Sequence, residues 1–160
     1  TDAFVYLPNT LREKAIREIE CELGDKLDGY PRGYRLLDWD MIREMSRKGI
    51  NFGSHTANHV VLPLENEATI SSEITRSKTT LENEIGKRSV SFAYPNGEYT
   101  DAIRNLTAKI GFGVAVTTEN RINRPGADLF TLGRTSLCEE STRGVGGNYA
   151  PAVANLRLGI

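Results

Sequence analysis

The chain has 160 residues and a formal net charge of −1, from 20 basic and 21 acidic residues. This length suffices for one domain with a sizeable core, and the near-neutral charge offers no electrostatic basis for binding nucleic acid or an anionic membrane surface. No apolar run approaches the ~18 residues of a membrane-spanning helix, and two cysteines, Cys21 and Cys138, do not make a disulfide framework. We therefore expect a single domain over residues 1–160.

The first predicted elements are a strand and a helix. The run AFVYLP is aromatic and β-branched and predicts a buried strand over residues 3–7. Thr10 and Glu13 fit a capping box, which predicts a helix that ends before Gly24. Its apolar stripe consists of Leu11, Ala15, Ile16, Ile19 and Leu23. The next segment, GDKLDGYPRGY, is rich in turn-forming residues and predicts irregular structure.

A unit of helix, glycine and short apolar strand then occurs three times. The helices are expected from Asp38 to Gly49, from Glu67 to Gly86 and from Thr100 to Gly111, and the strands over 50–54, 89–93 and 112–116. Repeated crossover units predict a mostly parallel sheet or barrel with helices outside it. The aliphatic stripes of all the predicted helices, including the first, should form the core, and the terminal segment APAVANLRLGI predicts a short last helix.

The only two histidines, His55 and His59, directly follow the predicted strand 50–54. Functional groups of α/β proteins collect where parallel strands end. Residues four apart lie on one face of a helical turn, so both imidazoles can reach one ion such as zinc. The alternative is two unrelated surface histidines. A metalloprotease helix is disfavoured because Thr56 stands where it needs Glu, and a serine triad because Ser54 lies in no nucleophile elbow.

Four segments of the chain carry a resemblance to a known family. FGSHTANH resembles the metal-binding H-[S/T]-x-x-H motif of the polysaccharide deacetylases, the NodB-like enzymes of carbohydrate esterase family four. SEITRSKTTLENEIGK resembles the helix that follows in that family, and SFAYPNGEY its F-A-Y-P-x-G motif. GFGVAVTTENRINRPGADLFTLGR resembles the strand and closing loop of the same branch. In this order the segments cover about Asp38 to Ser136.

The resemblance implies an irregular (β/α) barrel and a metal-dependent hydrolase that removes N-acetyl, or else O-acetyl, groups from a polysaccharide. The implied cofactor is a divalent metal, zinc in the first place, and the implied partner is an acetylated glycan. The residues implied at the site are His55 and His59 as metal ligands, the backbone N–H of Asn96 as oxyanion donor, and Tyr94, Pro95 and Arg134 as substrate-binding residues. Family habit implies a location at the cell envelope or outside the cell.

Several of these residues also have a purely structural interpretation. Tyr94 and Pro95 could pack at the end of a strand, and Arg134 could be an ion-pair partner. We expect Trp39 to anchor a helix to the barrel, with sugar stacking as the alternative, and Thr56 to brace the ligand loop through its hydroxyl.

The chain departs from the family pattern in three places. The T-F-D-D motif, which supplies an Asp ligand and the general base, is absent, and the strand over 3–7 resembles the second strand of the family. The late Leu-x-His acid has no counterpart, because Leu132 to Arg134 stands there, and position 93 is Ala where another branch has Arg. We therefore expect an incomplete barrel that starts one βα unit late.

These departures leave competing hypotheses for the function. On the first, the chain is part of an active deacetylase, although by itself it binds metal weakly and is inactive. On the second, it is a non-catalytic glycan-binding or scaffold remnant of the same fold. On the third, it is an unrelated α/β domain, and the four ordered matches are coincidental.

Overall fold

The computed structural model describes residues 6–23, 36–136, 138, 142–144 and 148–158. The described part of the chain contains five α-helices and two short strands. They are α1 (Asn9–Leu23), α2 (Trp39–Arg47), α3 (Glu67–Ile85), β1 (Ser91–Ala93), α4 (Asp101–Ile110), β2 (Val114–Val116) and α5 (Pro151–Leu158). Single 3₁₀ turns cover Leu62–Leu64 and Pro95–Gly97. None of the helices described is long and apolar enough to cross a membrane.

Side-chain caps fix where the middle helices begin. Asp38 accepts a hydrogen bond from the Met41 N–H at 2.9 Å before α2, and Asn66 and Thr100 cap α3 and α4 in the same way. Left-handed glycines follow α3 and α4, Gly86 at φ 64° and Gly111 at φ 100°. The predicted bounds of these helices and the predicted short last helix are confirmed.

The sheet is parallel, as the crossover pattern predicted. β1 and β2 pair with Phe92 opposite Ala115. Ser54 forms a parallel bridge to Phe92 on one side of this pair, and Leu132 forms one to Val116 on the other. The order across the sheet is therefore Ser54, β1, β2, Leu132, and the carboxyl ends of these segments meet at one edge.

The strands are shorter than predicted. The segment 50–54 contributes only the bridge at Ser54, whose N–H and carbonyl bond to Ser91 and Ala93. The strands predicted over 89–93 and 112–116 are each only three residues long in the structure. Of the strand expected over 3–7, residues 3–5 lie outside the described part, whereas Tyr6 and Leu7 form a turn and a bend.

The core lies between this sheet and helices α3 and α4. Its aromatic centre is Phe92, whose ring centroid lies 5.3 Å from that of Tyr94 and 5.2 Å from that of Phe112. The predicted stripes of α3 and α4 supply aliphatic side chains to it. The cluster consists of Val60, Leu62, Ile70, Ile74, Phe92, Tyr94, Ile103, Phe112 and Ala115.

Helix α1 corrects two expectations. It begins at Asn9, and the carbonyl of Pro8 accepts from Leu11 and Arg12, so Thr10 lies inside the helix instead of capping it. Its apolar stripe is not core, because Leu11, Ile16 and Ile19 are 53%, 40% and 49% exposed. Polar contacts hold this helix in place, since the Asn9 N–H donates to Glu65 and Arg12 donates to the loop of residues 58–59.

The buried phenol of Tyr94 makes stability depend on alkaline pH. Burial raises the pKa of Tyr94 from 10.0 to about 12. Its stabilising contribution is complete below pH 10 and is lost as the pH rises towards 12, because the unfolded chain releases the proton first. Between pH 8 and 11 we expect a loss of about 1.4 kcal/mol in the free energy of unfolding from this group.

Urea titration of the wild type and of Tyr94→Phe at pH 8 and pH 11 measures this loss. The variant loses the hydrogen bond to the Phe130 carbonyl, 3.1 Å long, so it starts about 1 kcal/mol less stable. It should nevertheless lose less stability than the wild type over this pH range. An equal loss in both proteins would contradict the assignment to Tyr94.

Candidate functional site

The two histidines meet just beyond the sheet edge. Their ring centroids lie 4.7 Å apart, with the planes inclined by 80°. His55 Nδ1 lies 2.7 Å from the carbonyl oxygen of Ala93, the last residue of β1. An Nδ1–H that donates to this carbonyl leaves the lone pair on Nε2, the tautomer that a backbone carbonyl typically selects in a metal-ligating histidine.

Residues 55–59, here called the histidine loop, have a strained backbone. Thr56 and His59 have φ angles of 62° and 52°. A left-handed conformation costs a non-glycine residue about 1–2 kcal/mol, and it is rarest for β-branched side chains such as Thr. The surrounding contacts must therefore hold this loop in place.

Helices α3 and α1 supply the contacts that hold the histidine loop. The Glu73 carboxylate accepts hydrogen bonds from the Ala57 N–H at 3.0 Å, the Asn58 N–H at 2.8 Å and Asn58 Nδ2 at 2.7 Å. Arg12 donates to the carbonyls of Asn58 and His59 at 2.9 and 3.1 Å. The loop is therefore bound through its N–H groups on one side and its carbonyls on the other.

This arrangement corrects the role expected for Thr56. Its Oγ1 is buried and has no hydrogen-bond partner among the described residues, so the hydroxyl does not brace the loop. Glu73 takes that role and was missed in the sequence. One signal pointed to it, because Glu73 is a charged residue on the same face of α3 as Ile70 and Ile74, and a buried carboxylate needs partners.

The donor set fits two of the ligands that a catalytic metal needs. The two imidazole rings lie 4.7 Å apart, and one has its Nδ1 held by a carbonyl. Catalytic zinc commonly takes three protein ligands. In the part of the chain that the structure describes, no group of three or more His, Cys, Asp or Glu side chains could hold an ion.

Asn96 lies in the 3₁₀ turn of residues Pro95–Gly97 that follows β1. Asn96 has a left-handed backbone at φ 55°, and its carbonyl accepts from Thr118 Oγ1 at 3.0 Å. Its Nδ2 is buried without a partner among the described residues. Asn96 lies three residues after Ala93, the residue whose carbonyl holds His55. The role of its backbone N–H stays a prediction.

Of the three residues expected to bind substrate, Tyr94 and Pro95 are buried, and the substrate role of Arg134 stays a prediction. The side chain of Tyr94 is fully buried in the core, and Pro95 is also buried. Neither side chain therefore offers surface to a substrate, which favours the strand-end packing interpretation. Arg134 is exposed, and its Nε donates to the Thr117 carbonyl at 2.8 Å, so it joins the loop after Leu132 to the end of β2.

A cavity of about 260 Å³ lies beside His55, between α2 and α3. Trp39 forms part of its wall and is 39% exposed. Its side chain is therefore only partly packed against the fold and anchors α2 less fully than expected. Arg76 and Thr80 line the wall formed by α3. His59 and the turn of residues 94–97 are not among its described lining residues, so this cavity is not shared by both histidines and the turn.

The chain is similar to known proteins over much of its length. It is 31% identical over 91 residues to YxkH of Bacillus subtilis (strain 168), which is 57% of this chain and 31% of that protein. Its fold matches the Streptococcus pyogenes deacetylase PplD in complex with acetate, with a TM-score of 0.61 and 27% identity. It also matches BC0361, a polysaccharide deacetylase from Bacillus cereus, with a TM-score of 0.58 and 25% identity.

The matched region is a part of these longer proteins. The match to PplD covers 65% of this chain and 46% of PplD, and the match to BC0361 covers 78% of this chain and 43% of BC0361. The chain therefore spans less than half the length of these relatives. The predicted fold is confirmed, because helices around a small parallel sheet match part of the deacetylase barrel. A family model for polysaccharide deacetylase matches residues 2–115, and the chain therefore belongs to the polysaccharide deacetylase family.

Proposed function

We propose that this chain forms the metal-binding and oxyanion-binding part of a hydrolase that removes acetyl groups, N-acetyl in the first place, from a polysaccharide. The observation that carries the proposal is the histidine pair. His55 is oriented by the Ala93 carbonyl, and the ring of His59 lies 4.7 Å away from it. Two surface histidines that were close by accident would need neither a strained loop nor the hydrogen bonds of Glu73 and Arg12 that hold it.

In this proposal His55 binds the ion through Nε2, and His59 is the second ligand. A divalent metal such as zinc, when bound, polarises the acetyl carbonyl and lowers the pKa of water. The protein must then orient both imidazoles, and it does so with the Ala93 carbonyl, the Glu73 carboxylate and the Arg12 guanidinium. No group of three or more potential ligands lies among the described residues, so a third ligand would have to come from outside them. We assign the general base to the T-F-D-D motif of the family, which this sequence lacks.

Asn96 is the proposed donor for the oxyanion that forms when the acetyl carbonyl is attacked. Backbone N–H groups stabilise such charge well because the fold fixes them in advance. The donor N–H belongs to the Pro95–Asn96 peptide. The next peptide is held by the bond from Thr118 to the Asn96 carbonyl, and the left-handed backbone at Asn96 sets the angle between the two peptides. The donor is a backbone group, so the proposed role does not depend on which side chain stands at the variable position of the F-A-Y-P-x-G motif, here Asn96.

The acetylated glycan is proposed from the relatives. PplD is a deacetylase in complex with acetate, the product that acetyl hydrolysis releases. BC0361 is a polysaccharide deacetylase, and this chain matches 43% of it. Acetyl hydrolysis of a polysaccharide is therefore the reaction that we assign to the whole protein, with an amide carbon–nitrogen bond as the bond that breaks.

Acetate release tests this proposal directly. We expect the 160-residue chain to bind zinc weakly and to release acetate from an acetylated aminosugar oligomer at least about 100-fold more slowly than a form extended upstream by a strand ending in Asp-Asp. The reason is that a general base typically contributes 10²–10⁴-fold. An O-acetylated oligomer, assayed in parallel, distinguishes the two kinds of acetyl group.

Other outcomes would change the assignment. Full activity of the short chain would mean that one of its own acids, such as Asp28, Asp38 or Asp40, acts as the base. Asp28 lies outside the described residues, whereas Asp38 caps α2 and Asp40 pairs with Arg43. Glycan binding without acetate release in either form would favour the non-catalytic remnant.

A further inference from the structure

We infer that Glu73 is a positioning residue that sets the geometry of the histidine pair. The inference rests on the proposed function, because it assigns to Glu73 the task of presenting His55 and His59 to one metal ion. Glu73 does not approach the site as a ligand in this arrangement, since both of its carboxylate oxygens accept hydrogen bonds from the histidine loop.

The burial of Glu73 is the first step of the argument. The residue is 6% exposed and lies on the face of α3 that also carries Ile70 and Ile74. A carboxylate is rarely kept in such a place unless its hydrogen bonds are satisfied. Glu73 Oε2 accepts from two backbone N–H groups and Oε1 accepts from the Asn58 amide, so the carboxylate is satisfied by this loop.

The position of these bonds is the second step. Ala57 and Asn58 lie between Thr56 and His59, the two residues with left-handed backbones. Fixing the two central N–H groups therefore fixes the turn that brings the end of the loop back towards His55. Without an acceptor at position 73, the strained residues could return to ordinary backbone angles, and the rings would separate.

Glu73→Met is the variant that tests this inference. Methionine has similar length and no strong acceptor, and an apolar side chain replacing a buried charge is often tolerated by the fold. We expect the nuclear Overhauser contact between the two imidazole rings to disappear, and the Ala57 and Asn58 amides to exchange faster with solvent. Zinc affinity should fall about 10–100-fold, the usual effect of losing a residue that orients a ligand.

Two further variants separate positioning from general stability. Glu73→Gln keeps an acceptor for the two backbone N–H groups, and rotation of the Asn58 amide can restore the third bond, so we expect affinity within about threefold of the wild type. Glu84→Met removes a carboxylate from the same helix, where it pairs with Arg43 away from the loop, and should leave the ring contact unchanged.

The outcomes distinguish this inference from the proposed function. A retained ring contact and retained amide protection in Glu73→Met would overturn the role of Glu73. A wild-type chain that shows the ring contact but binds no zinc would refute the metal proposal, and the ring contact in the variants would still decide the role of Glu73. If Glu73→Met does not fold, Asn58→Ala removes one of the three bonds from the exposed side and should weaken the ring contact.

Discussion

Replacing His55 or His59 with alanine is expected to weaken zinc binding by at least about 100-fold. Residues that only orient a ligand already contribute 10–100-fold, and a ligand itself contributes more. Each substitution leaves a single imidazole, because the chain has no third histidine. Isothermal titration with zinc measures the affinity, and the imidazole proton resonances of the remaining histidine report whether it still responds to the ion.

A loss of zinc affinity must be distinguished from unfolding of the variant and from zinc binding by the cysteine thiols. Both histidine side chains are exposed, so their removal should change the free energy of unfolding by no more than about 1 kcal/mol, the contribution of the hydrogen bond between His55 and the Ala93 carbonyl. Cys21 and Cys138 are exposed thiols that can bind zinc, so Cys21→Ser with Cys138→Ser is the background for all titrations. Wild-type affinity in His55→Ala or His59→Ala would remove the metal proposal.

The features that sequence predicted well are those fixed by local chemistry. Helices α2, α3 and α4 begin at the capping side chains of Asp38, Asn66 and Thr100 and end near glycines. The parallel order of the sheet followed from the crossover pattern. In both cases, residues close in the sequence determine the outcome. His55 and His59 do lie close together, but in a loop with left-handed backbones at Thr56 and His59 and not on the helical turn that the spacing predicted.

The features that sequence did not predict depend on contacts between distant segments. Glu73 reaches the histidine loop from a helix 15 and 16 residues later in the chain, so no local motif marks the pair. The position of Tyr94 in the F-A-Y-P-x-G motif predicts a site residue, but in the tertiary structure its ring is buried in the core. The stripe of α1 has helical periodicity, yet periodicity alone does not show which residues cover it.

A second substitution with a large expected effect is Gly97→Ala, in the turn that carries Asn96. Gly97 has φ 79°, and a Cβ there would lie 2.2 Å from Thr118 Oγ1 and 2.6 Å from the Thr118 backbone nitrogen. The backbone atom cannot move aside as a flexible side chain can. Left-handed strain of about 1–2 kcal/mol and overpacking of about 1–3 kcal/mol together predict a loss of roughly 3 kcal/mol in the free energy of unfolding.

Gly86→Ala is the matched control for this prediction. Gly86 also has a positive φ, 64°, but a Cβ there would meet nothing within 4 Å, so only the conformational cost of about 1 kcal/mol applies. For a chain of this size the difference of roughly 2 kcal/mol corresponds to about 4–8 °C between the two unfolding midpoints. Equal midpoints would mean that the turn yields easily, and an Asn96 peptide in such a turn would not be the rigid donor that acetyl hydrolysis requires.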